Sequence, residues 1–298
     1  SMTFSLFFQS LINGLNLGAT YALIALGYTM VYGIIRMINF AHGDFIMIGA
    51  YTLFYTVPLM VDSGMPAWLA VAAAIVVCAI VGVLVETFAY RPVRKAGPMS
   101  ALITALAMSI FLQNLAMVLF GSRPHNVSAI FSLPSVSVAG VTVSLNVVLT
   151  IVIGLAIMLG LQLFVQKTKL GKAMRAVSED MSAAQLMGIN VNNTITLTFA
   201  IGSALAAVGS LLYCAAYPQV QPYMGSMLGL KAFIAAVLGG IGIMPGAMLG
   251  GFIMGIAESL TKGYVSTQLA DAVVFGILIV VLLVKPSGIM GKTLSEKV

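Results

Sequence analysis

Residues 1–35, 63–85, 96–122, 124–166 and 181–230 of this chain contain no Asp, Glu, Lys or Arg. A water-soluble fold has too much surface to leave runs of that length uncharged, whereas a helix needs roughly 20 apolar residues to cross the hydrocarbon of a bilayer. Composition agrees: 60% of the 298 residues are hydrophobic and 7% charged, with a mean hydropathy of +1.09. Backbone polar groups in hydrocarbon must be satisfied within their own segment or in a closed barrel, and the runs are far longer than barrel strands. The expected fold is therefore an all-α polytopic membrane protein, one transmembrane domain over 1–298.

Hydropathy places crossings near residues 6–28, 43–61, 66–90, 99–120, 146–165, 193–216, 228–243, 246–262 and 268–284. The pair 228–243 and 246–262 is short and joined at Met244-Pro245-Gly246, so it reads either as two spans or as a broken or re-entrant segment. The expected count is about 8–9 transmembrane helices. The basic clusters Arg91/Arg94/Lys95, Lys167/Lys169/Lys172/Arg175 and Lys285/Lys292/Lys297 then share one side, which marks it as cytoplasmic and puts the N-terminus outside and the C-terminus inside. The net charge of +6 thus reads as a topology signal rather than a nucleic-acid surface. Cys78 and Cys214 lie in apolar segments without metal-ligand neighbours and read as packing residues. With no basic n-region or small-residue cleavage site, the first segment is expected to be retained, and Ser1 before Met2 reads as a cloning remnant.

The stretch GGIGIMPGAMLGG at 239–251 looks at first like a phosphate cradle, but it misses the dinucleotide spacing and no Lys-Ser/Thr pair follows it. In a bilayer the same residues suit packing. Gly242, Gly246 and Gly250 fall four apart, Gly251/Gly255 repeat the spacing, and Pro245 interrupts the helix where the chain turns. Shifting the sequence on itself by 207 residues matches seven of the fifteen positions 33–47 with 240–254, among them Gly33/Gly240, Met37/Met244, Gly43/Gly250 and Phe45/Phe252. Gly18/Gly225, Leu23/Leu230 and Ala25/Ala232 extend the echo, which reads as a parallel internal repeat of the kind transport folds are built from.

Polar residues inside apolar segments are the next candidates. Asn13, Asn16 and Thr20 share one helical face, with Tyr21 beside them, and Gln113 and Asn114 sit in the fourth span. They either line a pathway or join helices by hydrogen bonds worth about 1 kcal/mol or less. In INFAHGDF, Asn39, His42 and Asp44 lie at the turn between the first two crossings. Ionisable groups there are costly enough to be functional candidates. One reading has His42 or Asp44 capping the returning helix near Arg36; the other makes the cluster, with the break at Pro245, an inner gate. One His and one acid are too few for a metal. Lys231 reads as a snorkelling side chain and Glu258/Lys262 as an i,i+4 pair, with docking of an external protein a second use.

Two polar loops remain. The outer one, 121–145, is either a lid or short hairpin, or plain connection. The inner one, 167–193, holds GKAMRAVSEDMSAAQLMGINVNN. Ser178 is placed to cap a short helix with Glu179 and Asp180 in its first turn and Gly188 at its end. That helix is either an interfacial connection or a docking element.

EDMSAAQLMGI resembles the coupling segment of ATP-binding-cassette (ABC) importer permeases. With NGLNLGATYALIALGYTMVYGIIRMINFAHGDFIMIGAY, ETFAYRPVRKAG, MSIFLQN and KAFIAAVLGGIGIMPGAMLGG, it makes residues 7–291 similar to the LivH-type family of high-affinity branched-chain amino acid permeases. The resemblance implies a non-enzymatic subunit of the bacterial cytoplasmic membrane that works by alternating access. Its implied partners are a homologous LivM-type permease, two ATP-binding subunits and an external substrate-binding protein. Glu179, Asp180, Ala183, Ala184, Gly188 and Ile189 match the ATPase-coupling segment. No cofactor is expected in this chain, which has no Walker motif; ATP-Mg belongs to the partners. The implied cargo is leucine, isoleucine and valine, with urea or short amides as the alternative within the family. A channel would need two Asn-Pro-Ala turns where this chain has a single Asn39-Phe-Ala, and a proton- or sodium-driven carrier would not need the docking helix.

Overall fold

The computed structural model describes residues 2–130 and 133–292. Ser1 and Lys297, read above as a remnant and a topology charge, lie outside them. The all-α expectation holds. The first helices are α1 (Met2–Ile35), α2 (His42–Asp62) and α3 (Trp68–Val85), the last continued by a π-helical turn Glu86–Tyr90 and the short turn α4 (Arg91–Val93). Then come α5 (Pro98–Phe120), α6 (Leu145–Lys167), α7 (Lys169–Glu179), α8 (Met181–Leu186) and α9 (Val191–Ala216). The chain closes with α10 (Met224–Gly239), α11 (Met244–Tyr264) and α12 (Ala270–Val284). Between α5 and α6 lie β1 (His125–Asn126) and the hairpin strands β2 (Ser135–Val138) and β3 (Val141–Ser144); β4 (Gln219–Val220) pairs with β1. The two-residue hairpin turn is Ala139-Gly140, both with positive φ, as a right-twisted two-residue hairpin requires.

Among the described residues, six helices are long and apolar enough to cross a membrane, or up to seven spans if α10 and α11, bent by 119° at their junction, count as one. The sequence count of 8–9, which left 228–262 open as two spans or one broken segment, was slightly high because it counted 268–284 as a full crossing in either case. With 16 and 15 residues, α10 and α12 fall short of the roughly 20 that a perpendicular span needs. α1, at 34 residues, is instead longer than expected, about 50 Å at 1.5 Å per residue.

Both helix breaks have identifiable causes. After α1, Arg36 takes a left-handed φ of 54° while its N–H bonds back to Tyr32, and the Asn39 side chain accepts from the N–H of Ala41 at 3.2 Å. Between α10 and α11, Gly240 and Gly242 have φ of 107° and 91°, and Pro245 occupies the first turn of α11, where its missing N–H is harmless. Gly242 is therefore a turn residue and not part of the helix-packing face expected of it; its left-handed backbone ends the i,i+4 series one step early.

The chain divides into two compact units. Among the described residues, the first is drawn from 1–29, 133–158 and 231–298, the second from 30–132 and 159–230. In the first, α11 shows glycine on two faces. Gly246 and Gly250 abut the Gly239 and Ala235 carbonyls of α10, while Gly251 and Gly255 abut Ala22 and Gly18 of α1. In the second, α2, α3 and α9 pack together, with Gly49 against Ser210 and Gly82 against Ser203. The echo recurs in these contacts: Gly18 of α1 lies against Phe252 of α11, and its counterpart Gly225 of α10 lies against Gly43 of α2, the counterpart of Gly250.

A Cβ at Gly14 would come within 2.7 Å of the Ile256 Cα, and one at Gly18 within 2.8 Å of the Phe252 Cα. Gly18→Val is expected to destabilise the detergent-solubilised protein by about 1–3 kcal/mol, the range for forcing methylenes into packed structure. Gly160→Ala, whose Cβ would meet nothing within 4 Å, should leave it unchanged. Thermal unfolding of the two variants checks the contrast.

Candidate functional site

The loop 167–193 is two helices rather than one. Thr168 caps α7 by accepting from the N–H of Gly171 at 3.0 Å, and Gly171, Met174 and Val177 turn its apolar face inward. Ser178, expected as the cap of the next helix, lies inside α7 and donates to the Arg175 carbonyl at 2.6 Å. The cap of α8 is Asp180, whose carboxylate accepts from the N–H groups of Ser182 and Ala183 at 2.8 and 3.0 Å. A carboxylate at that position satisfies two free donors and complements the helix dipole, while Ser178 had already been absorbed by the longer run of α7.

At the other end Gly188 has φ 87° and donates to Gln185, while Ile189 donates to Ala184, the paired bonds of a Schellman stop. Ala184 is buried, whereas Ala183, Leu186, Met187 and Gly188 are exposed, Leu186 and Met187 at 88% and 83%. Asn190 then caps α9 by accepting from the N–H of Asn193 at 3.1 Å. α8 is thus a rigid, doubly stopped element joined to α9 by a short link.

The first turns of α9 are held by a residue the sequence reading passed over. Glu86 is fully buried. Arg91 bonds its carboxylate at 3.0 Å, Arg94 bonds its second oxygen, and the Thr196 hydroxyl donates to it at 2.8 Å. Arg91 also donates to Thr196 at 2.7 Å, and Arg94 to the Asn192 side chain at 2.9 Å. One carboxylate therefore ties the π-helical end of α3 to the start of α9. The arginines had been read only as topology charges. The available signal was that the single acid ending the uncharged run 63–85 stands five and eight residues ahead of them.

Asn39, His42 and Asp44 are all buried at the start of α2. Neither His42 nor Asp44 caps that helix: its N-cap is Ala41, without a side-chain bond. Instead the Asn39 oxygen receives the Tyr90 hydroxyl as well as the Ala41 N–H, and Asp44 receives the Ser109 hydroxyl and the Gln113 amide, the latter at 3.0 Å. Gln113 also donates to Ser226 on α10 at 2.8 Å. Asp44 and Gln113, assigned separately from sequence to a gate and a pathway, thus form one cluster with Ser109 and Ser226. Asn114 is exposed and bonds its own helix at Ile110.

In the first unit, Asn13 is exposed and accepts from Gln9, Asn16 is half-buried, and Thr20 bonds back to the Asn16 carbonyl. Tyr21 turns elsewhere and donates to buried Glu258 at 2.7 Å. Lys231 does not snorkel: it pairs with Glu258 at 2.9 Å and Asp271 at 2.7 Å, because two carboxylates within reach hold the ammonium better than a partly wetted position would. Lys262 meets Glu258 at 3.0 Å, the i,i+4 pair read from sequence.

Against known proteins, residues 10–283 match the family model described as the branched-chain amino acid transport system / permease component. The chain is 48% identical over 308 aligned residues to the high-affinity branched-chain amino acid transport system permease protein LivH of Escherichia coli strain K12, covering 100% of both chains. It is 46% identical to BraD, the permease protein of the same kind of system in Pseudomonas aeruginosa, covering 98% of each. A probable LivH of Methanocaldococcus jannaschii is 32% identical over 90% of this chain and 88% of its own. With a multi-pass helical fold, glycine-packed breaks and end-to-end similarity of this order, the chain belongs to the family of branched-chain amino acid transport permease components.

Proposed function

We propose that this chain is the membrane permease subunit of an ABC importer that moves leucine, isoleucine and valine into the cytoplasm by alternating access. The observation that carries the reading is α8, a six-residue helix stopped at both ends whose tip leaves Leu186 and Met187 almost fully exposed. Apolar surface gains about 25 cal/mol per Å2 on leaving water, so such a tip on a rigid element suits a partner's groove. In this reading Glu179, Asp180, Ala183, Ala184, Gly188 and Ile189 form the ATPase-coupling segment. Ala184 seats the helix on its own chain, Asp180 and Gly188 fix its ends, and Ala183 gives the shallow relief a groove needs.

The substrate class rests on the relatives named as branched-chain amino acid permeases. The partners are a homologous LivM-type permease, two ATP-binding subunits carrying ATP-Mg, and an external binding protein. The chain itself carries no catalysis and sits in the bacterial cytoplasmic membrane with its N-terminus outside and its C-terminus in the cytoplasm. Asn13, Asn16, Thr20, Tyr21, Gln113 and Asn114 remain pathway candidates, and the buried Asp44 cluster, with Asn39, His42 and the break at Pro245, the candidate inner gate.

Reconstitution with the partner subunits tests the proposal: ATP-driven leucine uptake should be competed by valine and isoleucine and not by urea. Uptake that survives loss of ATP hydrolysis overturns it. In the same system Gly188→Leu should leave ATPase activity in place while uptake falls about tenfold or more, because a side chain at φ 87° deforms the stop of α8 without a clash elsewhere. Glu86→Gln, by removing the charge shared by two arginines, should destabilise the protein by on the order of 3 kcal/mol. It should also lower leucine transported per ATP hydrolysed, measured by parallel uptake and phosphate-release assays.

A further inference from the structure

Within the second unit a cavity of about 380 Å3 opens beside the first helix break, its walls including Arg36, Ile38, Arg94, Leu102, Ile195 and Phe199. Its polar and apolar parts are unequal in kind. Among the described residues, the charged side chains lining it are all guanidinium groups, and the rest of the wall is mostly aliphatic and aromatic. Arg91 and Arg94 share the one carboxylate of Glu86, so that cluster keeps a net positive charge at the edge of the cavity. Arg36 adds another: it is exposed, stacks over the Tyr32 ring at 5.9 Å, and has no salt bridge among the described residues.

The backbone at Arg36 sharpens the point. Its φ of 54° is a conformation in which glycine is at ease and a long side chain is strained. The counterpart of Arg36 in the internal echo, Ile243, is extended at φ −111°, so a left-handed residue at this position is particular to the first break. An arginine held at a left-handed position and lining a cavity with no acid among the described residues is the arrangement an anionic ligand would select.

We propose that this cavity binds one anionic phospholipid, its phosphate held by Arg36 with support from Arg94 and its acyl chain lying along Ile38, Leu102, Ile195 and Phe199. A free amino acid suits the site less well, because among the described residues no carboxylate lines the cavity to receive an ammonium group. On the orientation proposed above, the basic cluster lies on the cytoplasmic side, where basic pockets between membrane helices meet anionic headgroups.

Native mass spectrometry of the full chain, purified with a mixture of phosphatidylglycerol and phosphatidylethanolamine, reads the preference directly. The wild type is expected to retain one phosphatidylglycerol in preference to phosphatidylethanolamine. Arg36→Gln should lower that preference about fivefold, the effect of one basic residue at a membrane surface. Arg36→Lys should retain most of it, and Arg123→Gln, a change at an exposed arginine of the 121–145 loop, should retain all of it. Leu102→Trp, which fills the apolar part and leaves the charge in place, should also lose the bound lipid, and it decides the matter if Arg36→Gln does not fold. Equal retention of the two lipids by the wild type, or undiminished preference in both Arg36→Gln and Leu102→Trp, would overturn the proposal. Displacement of the lipid by millimolar inorganic phosphate or leucine alone would also overturn it, by reassigning the site to a free anion.

Discussion

In hydrocarbon a backbone N–H or C=O without a partner costs several kcal/mol, and no water is present to relieve it. That constraint makes the chain helical wherever it is apolar, and it also governs where the helices are allowed to stop. At the α1–α2 break the Arg36 N–H reaches back to Tyr32 and the Asn39 side chain receives the Ala41 N–H. At the α10–α11 break the Ile243 N–H bonds to Gly240, and the turns after α12 return two backbone N–H groups, of Ile289 and Met290, to the Leu238 and Gly239 carbonyls. Each interruption is thus closed by polar groups of the chain itself, and the turns come where the sequence supplies glycine, asparagine or proline.

With the backbone satisfied, helix association in lipid depends on close contact more than on expulsion of water. The glycines of α11 serve two neighbours at once: one face meets α10, the other α1. Gly18 and Gly225, which correspond in the internal echo, make similar contacts in their separate units. A repeated pattern of small residues thus gives repeated crossings. The buried carboxylates among the described residues are paired: Glu258 with two lysines and a tyrosine, Asp44 with a serine and a glutamine, Glu86 with two arginines and a threonine.

The Glu86 cluster gives the proposed coupling a physical route. α8 passes through Asn190 into α9, and the first turns of α9 are bonded through Asn192 and Thr196 to the charged end of α3. A displacement of α8 would load charge-assisted hydrogen bonds around a buried carboxylate, which are strong and short-ranged. Such a junction moves as a piece or breaks, as a two-state element must.

The sequence by itself determined the helices, because the charge-free runs leave no other way to satisfy the backbone. It also located both breaks, from glycine, proline and the polar turn INFAHGDF, and the stop of α8 at Gly188, because left-handed positions and helix ends are local properties of a few residues. It did not reveal that Lys231 is tied to Glu258 and Asp271, that Asp44 belongs with Gln113, or that Glu86 holds Thr196, 110 positions away. It misplaced the cap of α8 by two residues and read Gly242 as packing when it turns the chain. Those outcomes were decided only by the tertiary structure, since a buried charge takes whichever partner the helix crossings bring within about 3 Å, and a helix ends where competing local bonds are better satisfied.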